Sequence, residues 1–338
     1  MSQAIDRIET TVVGSYPVPD WLVASPTEQA LEDATRAVLH TQQQAGIDLV
    51  CDGELARFGV NHPETNRMID YFVAPMAGVR TAIIFDELIS YRAQAGMGFR
   101  RRPSGVVDRP LGSGTLDLPP ACGRARALTA APLKFTLTGP HMLAKTLVDT
   151  HYGDLAALTY AIAGVLAEQV AHCDAEVIQV DEANLPGHAG EWRLAAAAIN
   201  CVLDAIKGHA AAHLCFGNYG GQTIQSGTWD ALIDYLNALH ADHIVMENAH
   251  RPADELAAFA DLDPRIGMGL GVIDVKRTDI ETADDVARSI EAAAAVIGPG
   301  RVRYVHPDCG FWMLKRPIAD AKMRALVAGR DLYEGRGG

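Results

Sequence analysis

Leu133-Lys134-Phe135-Thr136-Leu137-Thr138-Gly139-Pro140, a helical stretch from about Asp154 to Cys173, and then Glu176-Val177-Ile178-Gln179-Val180-Asp181-Glu182 form one strand–helix–strand unit. Parallel strands need a crossover between them, so such a unit implies a parallel sheet. The unit recurs on both sides. Upstream, Thr10-Thr11-Val12-Val13-Gly14-Ser15-Tyr16-Pro17 reads as a strand broken by a glycine turn; a helix follows from about Glu28 to Gln44, and Gly46-Ile47-Asp48-Leu49-Val50-Cys51-Asp52-Gly53-Glu54 repeats the design. Downstream, helices are expected over roughly 190–208, 228–240, 252–260, 282–297 and 314–330, separated by strand runs at His213, at Glu247, from Arg265 to Asp274, and before Cys309. Eight strand candidates, nearly all backed by a helix, favour an α/β fold closed as a (β/α)8 TIM barrel. An open doubly wound sheet is the alternative. Against it, no G-x-G-x-x-G follows the first strand, and Gly267-Met268-Gly269-Leu270-Gly271 falls late and inside a strand, where the glycines read as close packing. From about 63 to 128 the alternation fails, interrupted by prolines, by Arg100-Arg101-Arg102 and by Gly112-Ser113-Gly114. The expectation is one domain over 1–338, with this segment inserted after the second strand and lying over the barrel mouth.

The chain has 338 residues, 49% of them hydrophobic, with no apolar run approaching the ~20 residues that span a bilayer. Nothing at the N-terminus resembles a signal peptide, so a soluble cytoplasmic protein is expected. The 29 Lys and Arg against 42 Asp and Glu leave a net charge of −13, which argues against nucleic acid or an anionic membrane as partner. Six cysteines without a secretory signal fit a reducing compartment better than a disulfide framework. Cys173 and Cys201 lie in Ala-rich helical patterns and read as small buried hydrophobes.

Within Ala211-Ala212-His213-Leu214-Cys215-Phe216, residues two apart on a strand face the same side, so an imidazole and a thiol converge. Glu247 closes the apolar run Ile244-Val245-Met246, and Cys309 follows Val302-Arg303-Tyr304-Val305-His306-Pro307-Asp308. One nitrogen, two sulfurs and one oxygen make a tetrahedral zinc set, and soft thiolates argue against magnesium or calcium. All four stand at the carboxyl ends of strands, the end at which barrel active sites collect. Other polar residues gather there too: Ser15, Asp52 with Glu54, Thr138, Asp181 with Glu182, Asn218, Asn248, Lys276 and Asp308. Glu54 and Asp181 come straight off apolar runs, whereas Asp154 and Asp308 read equally well as helix caps.

In this order the motifs Val13-Gly14-Ser15-Tyr16-Pro17, Asp52-Gly53-Glu54, Thr138-Gly139-Pro140, Val180-Asp181-Glu182, His213-Leu214-Cys215, Glu247 and Pro307-Asp308-Cys309-Gly310 resemble the catalytic barrel of cobalamin-independent methionine synthase, in its short single-barrel form. The resemblance implies zinc on His213, Cys215, Glu247 and Cys309. It implies also that groups at Gly14 and Ser15, with the carboxylates of Glu54 and Asp181, hold the amino-acid end of homocysteine. Lys276 and Asp181 are then the candidate catalytic residues, and the partners are a small-molecule thiol and a methyl donor. Two departures bear on the donor. The family places a proton-donating histidine shortly after a Gly-Val-x-Asp turn, where Gly271-Val272-Ile273-Asp274-Val275 here leads to Lys276, which acts as the acid or pairs with Asp274 or Asp279. The family also has a tryptophan against the pterin ring, where His141-Met142-Leu143-Ala144-Lys145-Thr146 has none. Methyl-folate and methylcobalamin both stay open as donors. Two further readings are alkyl transfer to another thiol, as in the related epoxyalkane:coenzyme M transferases, with Lys276 or Arg57 steering an anionic partner, and a non-catalytic zinc-binding protein. Unpaired carboxylates at the mouth speak against the last. The oligomeric state is not legible.

Overall fold

In the computed structural model, which describes residues 7–59, 67–94, 100–218 and 221–336, eight strands run parallel: β1 (Glu9–Thr10), β2 (Val50–Cys51), β3 (Leu133–Thr138), β4 (Val177–Asp181), β5 (His209–Leu214), β6 (His243–Met246), β7 (Gly267–Ile273) and β8 (Val302–Pro307). β2 to β8 neighbour one another in chain order, and β8 pairs with β1 through Glu9–Tyr304 and Thr10–Val305. A parallel bridge between Thr11 and Leu49 joins β1 to β2 and closes the ring, so among the described residues this eight-stranded sheet has no free edge. The expected TIM barrel is therefore present.

Strand periodicity sorts the side chains into two cores. Val13, Leu49, Val177, Ala211 and Val245 pack together with Tyr304 inside the barrel, apart from the large core between strands and helices. Gln179 and Asp181 share the inward face with Val177, His213 with Ala211, and Glu247 with Val245. The β7 glycines are packing positions, as read from the sequence. A Cβ on Gly269 would lie 3.0 Å from His306 Nε2, and one on Gly271 would lie 2.3 Å from Asp308 Oδ1. Their absence admits the inward side chains of β8.

The outer layer follows local capping. α1 (Glu28–Ala45) starts at Thr27, whose hydroxyl accepts from Ala30 N, and stops at Gly46 with φ 89°. α2 (Leu155–Val170) has Asp154 as N-cap, which settles that residue's role. α3 (Trp192–Leu203), α4 (Ala283–Ile297) and α5 (Arg316–Tyr333) match expected helices, α4 behind a Thr282/Asp285 capping box. Two crossovers differ from expectation. The 228–240 stretch is a 3-10 turn, Asp230–Leu232, followed by a short helix, Ile233–Asn237, and 252–260 is a 3-10 segment, Ala253–Asp261. Tertiary bonds hold their ends, Trp229 Nε1 to Glu247 O and Asn237 Nδ2 to Asp261 O, both 3.0 Å, and these override regular α-helix spacing.

Between β2 and β3 the chain forms an antiparallel pair, Ala77–Arg80 with Gly105–Gly112, and helices Phe85–Arg92 and Leu118–Ala127. The third strand of this small sheet, Leu147–Asp149, pairs in parallel with Gly105–Gly112 and comes from after β3, beyond the 63–128 stretch. No helix among the described residues is long and apolar enough to cross a membrane.

Candidate active site

β5 delivers His213 and Cys215 to one side of the barrel end, and β8 brings up Cys309. His213 Nδ1 lies 2.9 Å from Val245 O, and a carbonyl can only accept, so Nδ1 carries the proton. Nε2 is left as a buried lone pair that meets no hydrogen-bond partner of good geometry among the described residues. Cys215 Sγ and Cys309 Sγ are 3.8 Å apart, and both cysteines are free thiols. Two zinc–sulfur bonds of about 2.3 Å at the tetrahedral angle place their sulfurs about 3.8 Å apart, so the spacing suits two thiolates sharing one ion. The ligand atoms of His213, Cys215 and Cys309 all lie within 4.8 Å of one another. The donor chemistry, the orphaned Nε2 and the sulfur spacing all fit zinc.

Glu247 stands beside this trio rather than within it. Its Oε1 is 2.8 Å from Lys276 Nζ, and its Oε2 accepts from Phe216 N at 2.9 Å. The side chains of Lys276 and Glu247 are 1% and 0% exposed. Burial draws the Lys276 pKa down, but Glu247 and the two nearby thiols outweigh it, so the ammonium is held more firmly than usual. Asp274 takes the backbone N–H of Lys276 (2.8 Å) and not its side chain. Asp308, the other residue open to a cap reading, is a fully buried clamp. It accepts from Asn248 N and Ala249 N at 2.8 Å and from His250 N at 2.7 Å, tying the strand end before Cys309 to the turn after Glu247.

The opposite wall carries the carboxylates. Glu54 sits at φ 58° in a tight turn, with Oε1 3.0 Å from Arg57 Nη1 and accepting from Thr136 Oγ1 at 2.7 Å. Arg57 is buried and lies 5.0 Å from the Phe72 ring. Glu54 thus has a cation of its own, and the picture of a mouth lined with unpaired carboxylates needs correcting there. Sequence separation hid nothing in this case: the i, i+3 spacing was visible, but the tight turn that folds Arg57 back was not. Asp181 accepts from Gln179 Nε2 at 2.7 Å. Burial lifts its pKa to about 7, opposed by His213 and reinforced by Glu54. Ser15 Oγ would be 1.9 Å from a Cβ on Gly310, so the residue after Cys309 has to be glycine for the Ser15 loop to dock. Phe311 N completes the contact, donating to Ser15 O at 2.8 Å.

These walls enclose a cavity of about 1120 Å³, lined on its floor by Ser15, Glu54, Asp181, His213, Cys215 and Cys309. Arg100, Arg101, Arg102 and the buried Ser104 line it from the segment between β2 and β3. Arg100 pairs with Asp70 at 2.6 Å, while Arg101 and Arg102 have no acidic partner among the described residues. Lys276 and Glu247 lie behind the cavity wall. Two polar groups that the sequence reading passed over are buried close by. Lys134, on the inward face of β3, has its pKa lowered to about 8 by burial. His141 stands 2.6 Å from Glu191 and 3.7 Å from Glu182. The only signal for Lys134 was a charge inside an otherwise strand-like run.

The family described as cobalamin-independent synthase, catalytic domain, matches residues 8–330. Methionine synthases of Thermococcus kodakarensis and Sulfurisphaera tokodaii are each 28% identical to this chain, covering 96% of it and 93% and 92% of their own lengths. Among solved structures, a B12-independent methionine synthase from Shewanella, in complex with selenomethionine, superposes with a TM-score of 0.79 at 23% identity over 97% of this chain and 98% of that one. A second, described as a putative vitamin-B12 independent methionine synthase from Listeria monocytogenes, gives 0.73 at 16% identity over 98% and 99%.

Proposed function

Because the chain belongs to the family of cobalamin-independent synthases, by their catalytic domain, we propose that it transfers a methyl group to the thiol of homocysteine, forming methionine, with zinc on His213, Cys215 and Cys309 and Glu247 beside them. The observation that carries this reading is the pairing of two features across one cavity: a buried, unpartnered imidazole nitrogen with two thiols 3.8 Å apart, facing Glu54 and Asp181.

Zinc, when bound, would hold the substrate sulfur as a thiolate at neutral pH, where a free thiol with pKa near ~8.5 is mostly protonated. The protein's own residues do the rest. Asp181 takes the substrate ammonium, with Glu54 alongside it; Arg57 neutralises one of the two negative charges, so a single ammonium completes the balance. The Gly14–Ser15 turn, docked on Gly310, holds the carboxylate end at a set distance from Cys309. Fixing the amino acid at one end and its sulfur at the other leaves the thiolate one line of approach to the methyl carbon. Arg100, Arg101, Arg102 and Ser104, from the segment between β2 and β3, add polar groups to the cavity lining. Lys276 Nζ is turned onto Glu247 and not into the cavity, which favours a methyl donor whose leaving group needs no proton from it.

The second reading, alkyl transfer to a different thiol, draws support from Arg101 and Arg102, which line the cavity, have no acidic partner among the described residues and suit an anionic thiol such as coenzyme M. Zinc-loaded protein offered homocysteine, cysteine, glutathione and coenzyme M, each with methyl-folate, methylcobalamin and an epoxide, separates the two. Methionine, identified by mass, is the expected product; an alkylated coenzyme M in its place overturns the reading.

A further inference from the structure

Three side-chain amides line the cavity and have no part in holding homocysteine: Asn184, in the turn after β4, and Asn218 and Gln225, in the chain that follows Cys215. Asn184 and Gln225 are 2% and 7% exposed. Gln225 Nε2 donates to Asn184 Oδ1 at 3.1 Å and its backbone N–H donates to Phe216 O at 2.9 Å, which fixes the pair in place. Gly187 makes room for it, since a Cβ there would collide with Gln225 Oε1. Asn184 Nδ2, Asn218 Nδ2 and Asn218 Oδ1 are nonetheless buried and meet no hydrogen-bond partner among the described residues. Buried polar atoms are rarely left unmet, and three of them on one cavity point to a ligand that supplies their partners. The cavity, at about 1120 Å³, has room for a second substrate beside an amino acid.

Their chemistry selects the ligand. The wall given by these two loops, Ala183, Asn184, Gly217, Asn218, Ile224 and Gln225, has no charged side chain, and the arginines and carboxylates of the cavity come from other elements. Asn184 Nδ2 needs an acceptor and Asn218 Oδ1 needs a donor. An epoxide or a sulfonate offers acceptors alone and leaves Asn218 Oδ1 unmet. An amide offers both, and so suits the wall whichever way its own amide groups are turned. We propose that Asn184, Asn218 and Gln225 form a subsite for the methyl donor that takes an uncharged amide edge, either a ring lactam or a carboxamide. This rests on the methyl-transfer reading above and adds the recognition chemistry of the donor to it. Methyl-folate carries a lactam in its pterin ring, and methylcobalamin carries carboxamides around its corrin. Asn184 and Asn218 make the contacts, and Gln225 holds Asn184 in place.

The test is the binding of methyl-tetrahydrofolate, methylcobalamin and homocysteine to zinc-loaded protein, titrated separately on the wild type and on Asn184→Leu, Asn184→Asp and Asn218→Leu. Thermal melts check that each variant is folded. Asn184→Asp keeps an acceptor for Gln225 but loses the free N–H, so it separates recognition from support of the loop. All three variants should weaken the donor that the wild type uses by about tenfold, the scale of one buried hydrogen bond left unmade, and keep homocysteine affinity within about twofold. A loss confined to one donor supports the inference and identifies which molecule carries the recognised amide. Methionine made by the wild type from either donor, with donor affinity unchanged in all three variants, overturns the inference and leaves the methyl-transfer reading standing. So does a parallel fall in donor and homocysteine affinity, or a fall in Asn184→Leu that Asn184→Asp does not share, because each marks a structural role. A wild type that binds neither donor overturns both.

Discussion

At Gly14 the missing side chain is what the site requires, since a Cβ there would lie 2.2 Å from Glu54 Oε1. Gly14→Ala should push Glu54 away from Thr136 and Arg57, raising KM for homocysteine at least about tenfold, the worth of one charge-assisted bond, while zinc content per chain stays the same. Steady-state kinetics beside metal analysis checks this, and loss of zinc in step with KM would contradict the separation of the two walls. Asp181 carries a pH signature. Its pKa is raised by burial to about 7, so near neutrality a fraction of it is protonated and unable to pair with an ammonium. Affinity for homocysteine should therefore rise with pH up to and through about 7 and level off above. Asp181→Asn should flatten that profile and weaken binding by roughly 1.5–3 kcal/mol. Binding titrations from pH 5.5 to 8.5 on both proteins decide it; parallel profiles would remove Asp181 from the role.

At the scale of elements, the short helix Pro140–Lys145 is fastened to the 3-10 segment Leu185–Glu191. His141 Nε2 lies 2.6 Å from Glu191 Oε2, and Lys145 Nζ lies 3.0 Å from Glu191 Oε1. Burial works against the charge on His141, but Glu182 and Glu191 prevail and raise its pKa to about 9. The folded value thus exceeds the unfolded one of about 6.5, so this fastening contributes fully below pH ~6.5 and is lost as pH rises through 9. Melting temperature should fall over that window in the wild type. His141→Asn should lower it at pH 6 and flatten the decline above, and an equally steep decline in that variant would show that other groups set the slope. This helix occupies the position at which the family's tryptophan was expected, and its residues 140 to 144 are all buried.

For the whole molecule, the seam between the first and last elements is held by side chains of the C-terminal helix and its end, with Glu334 Oε1 accepting from Ile8 N at 2.7 Å beside a buried arginine. Arg330, 2% exposed on α5, donates to Ile8 O at 2.7 Å and to Asp48 Oδ2 at 2.6 Å, linking the C-terminal helix to β1 and to the turn before β2. Arg330→Met leaves Asp48 short of its buried counter-ion and should cost about 3 kcal/mol in denaturant unfolding at pH 7. A change below about 0.5 kcal/mol would show that strand pairing alone closes the ring. A metal bound at His213, Cys215 and Cys309 is expected to make no comparable contribution to architecture, because the main core lies between strands and helices and of the three only Cys309 packs against it. Chelation should leave the far-UV circular dichroism spectrum and a single cooperative melt in place, lowering Tm only by the lost binding energy. Collapse of the helical signal on chelation would count against this.

How much of this was legible in the sequence depends on how far apart the interacting groups lie. The order of eight strands, the shared face of His213 and Cys215, and the glycine packing of β7 follow from two-residue periodicity and local turn chemistry, which act within one element. That Ser15, Glu54, Asp181, His213, Cys215 and Cys309 converge on one cavity was legible for the same reason, since a parallel barrel gathers the strand ends at one rim. Four features needed the folded chain: the Thr11–Leu49 bridge, Arg57 reaching Glu54 and Thr136, the third strand at Leu147–Asp149, and the hold of Lys276 on Glu247. Each depends on side-chain reach across the curved barrel or on a pairing between distant segments. Sequence pattern determined which residues arrive at the rim; tertiary packing decided which of them touch, because closure and curvature set the distances between strands that no single strand encodes.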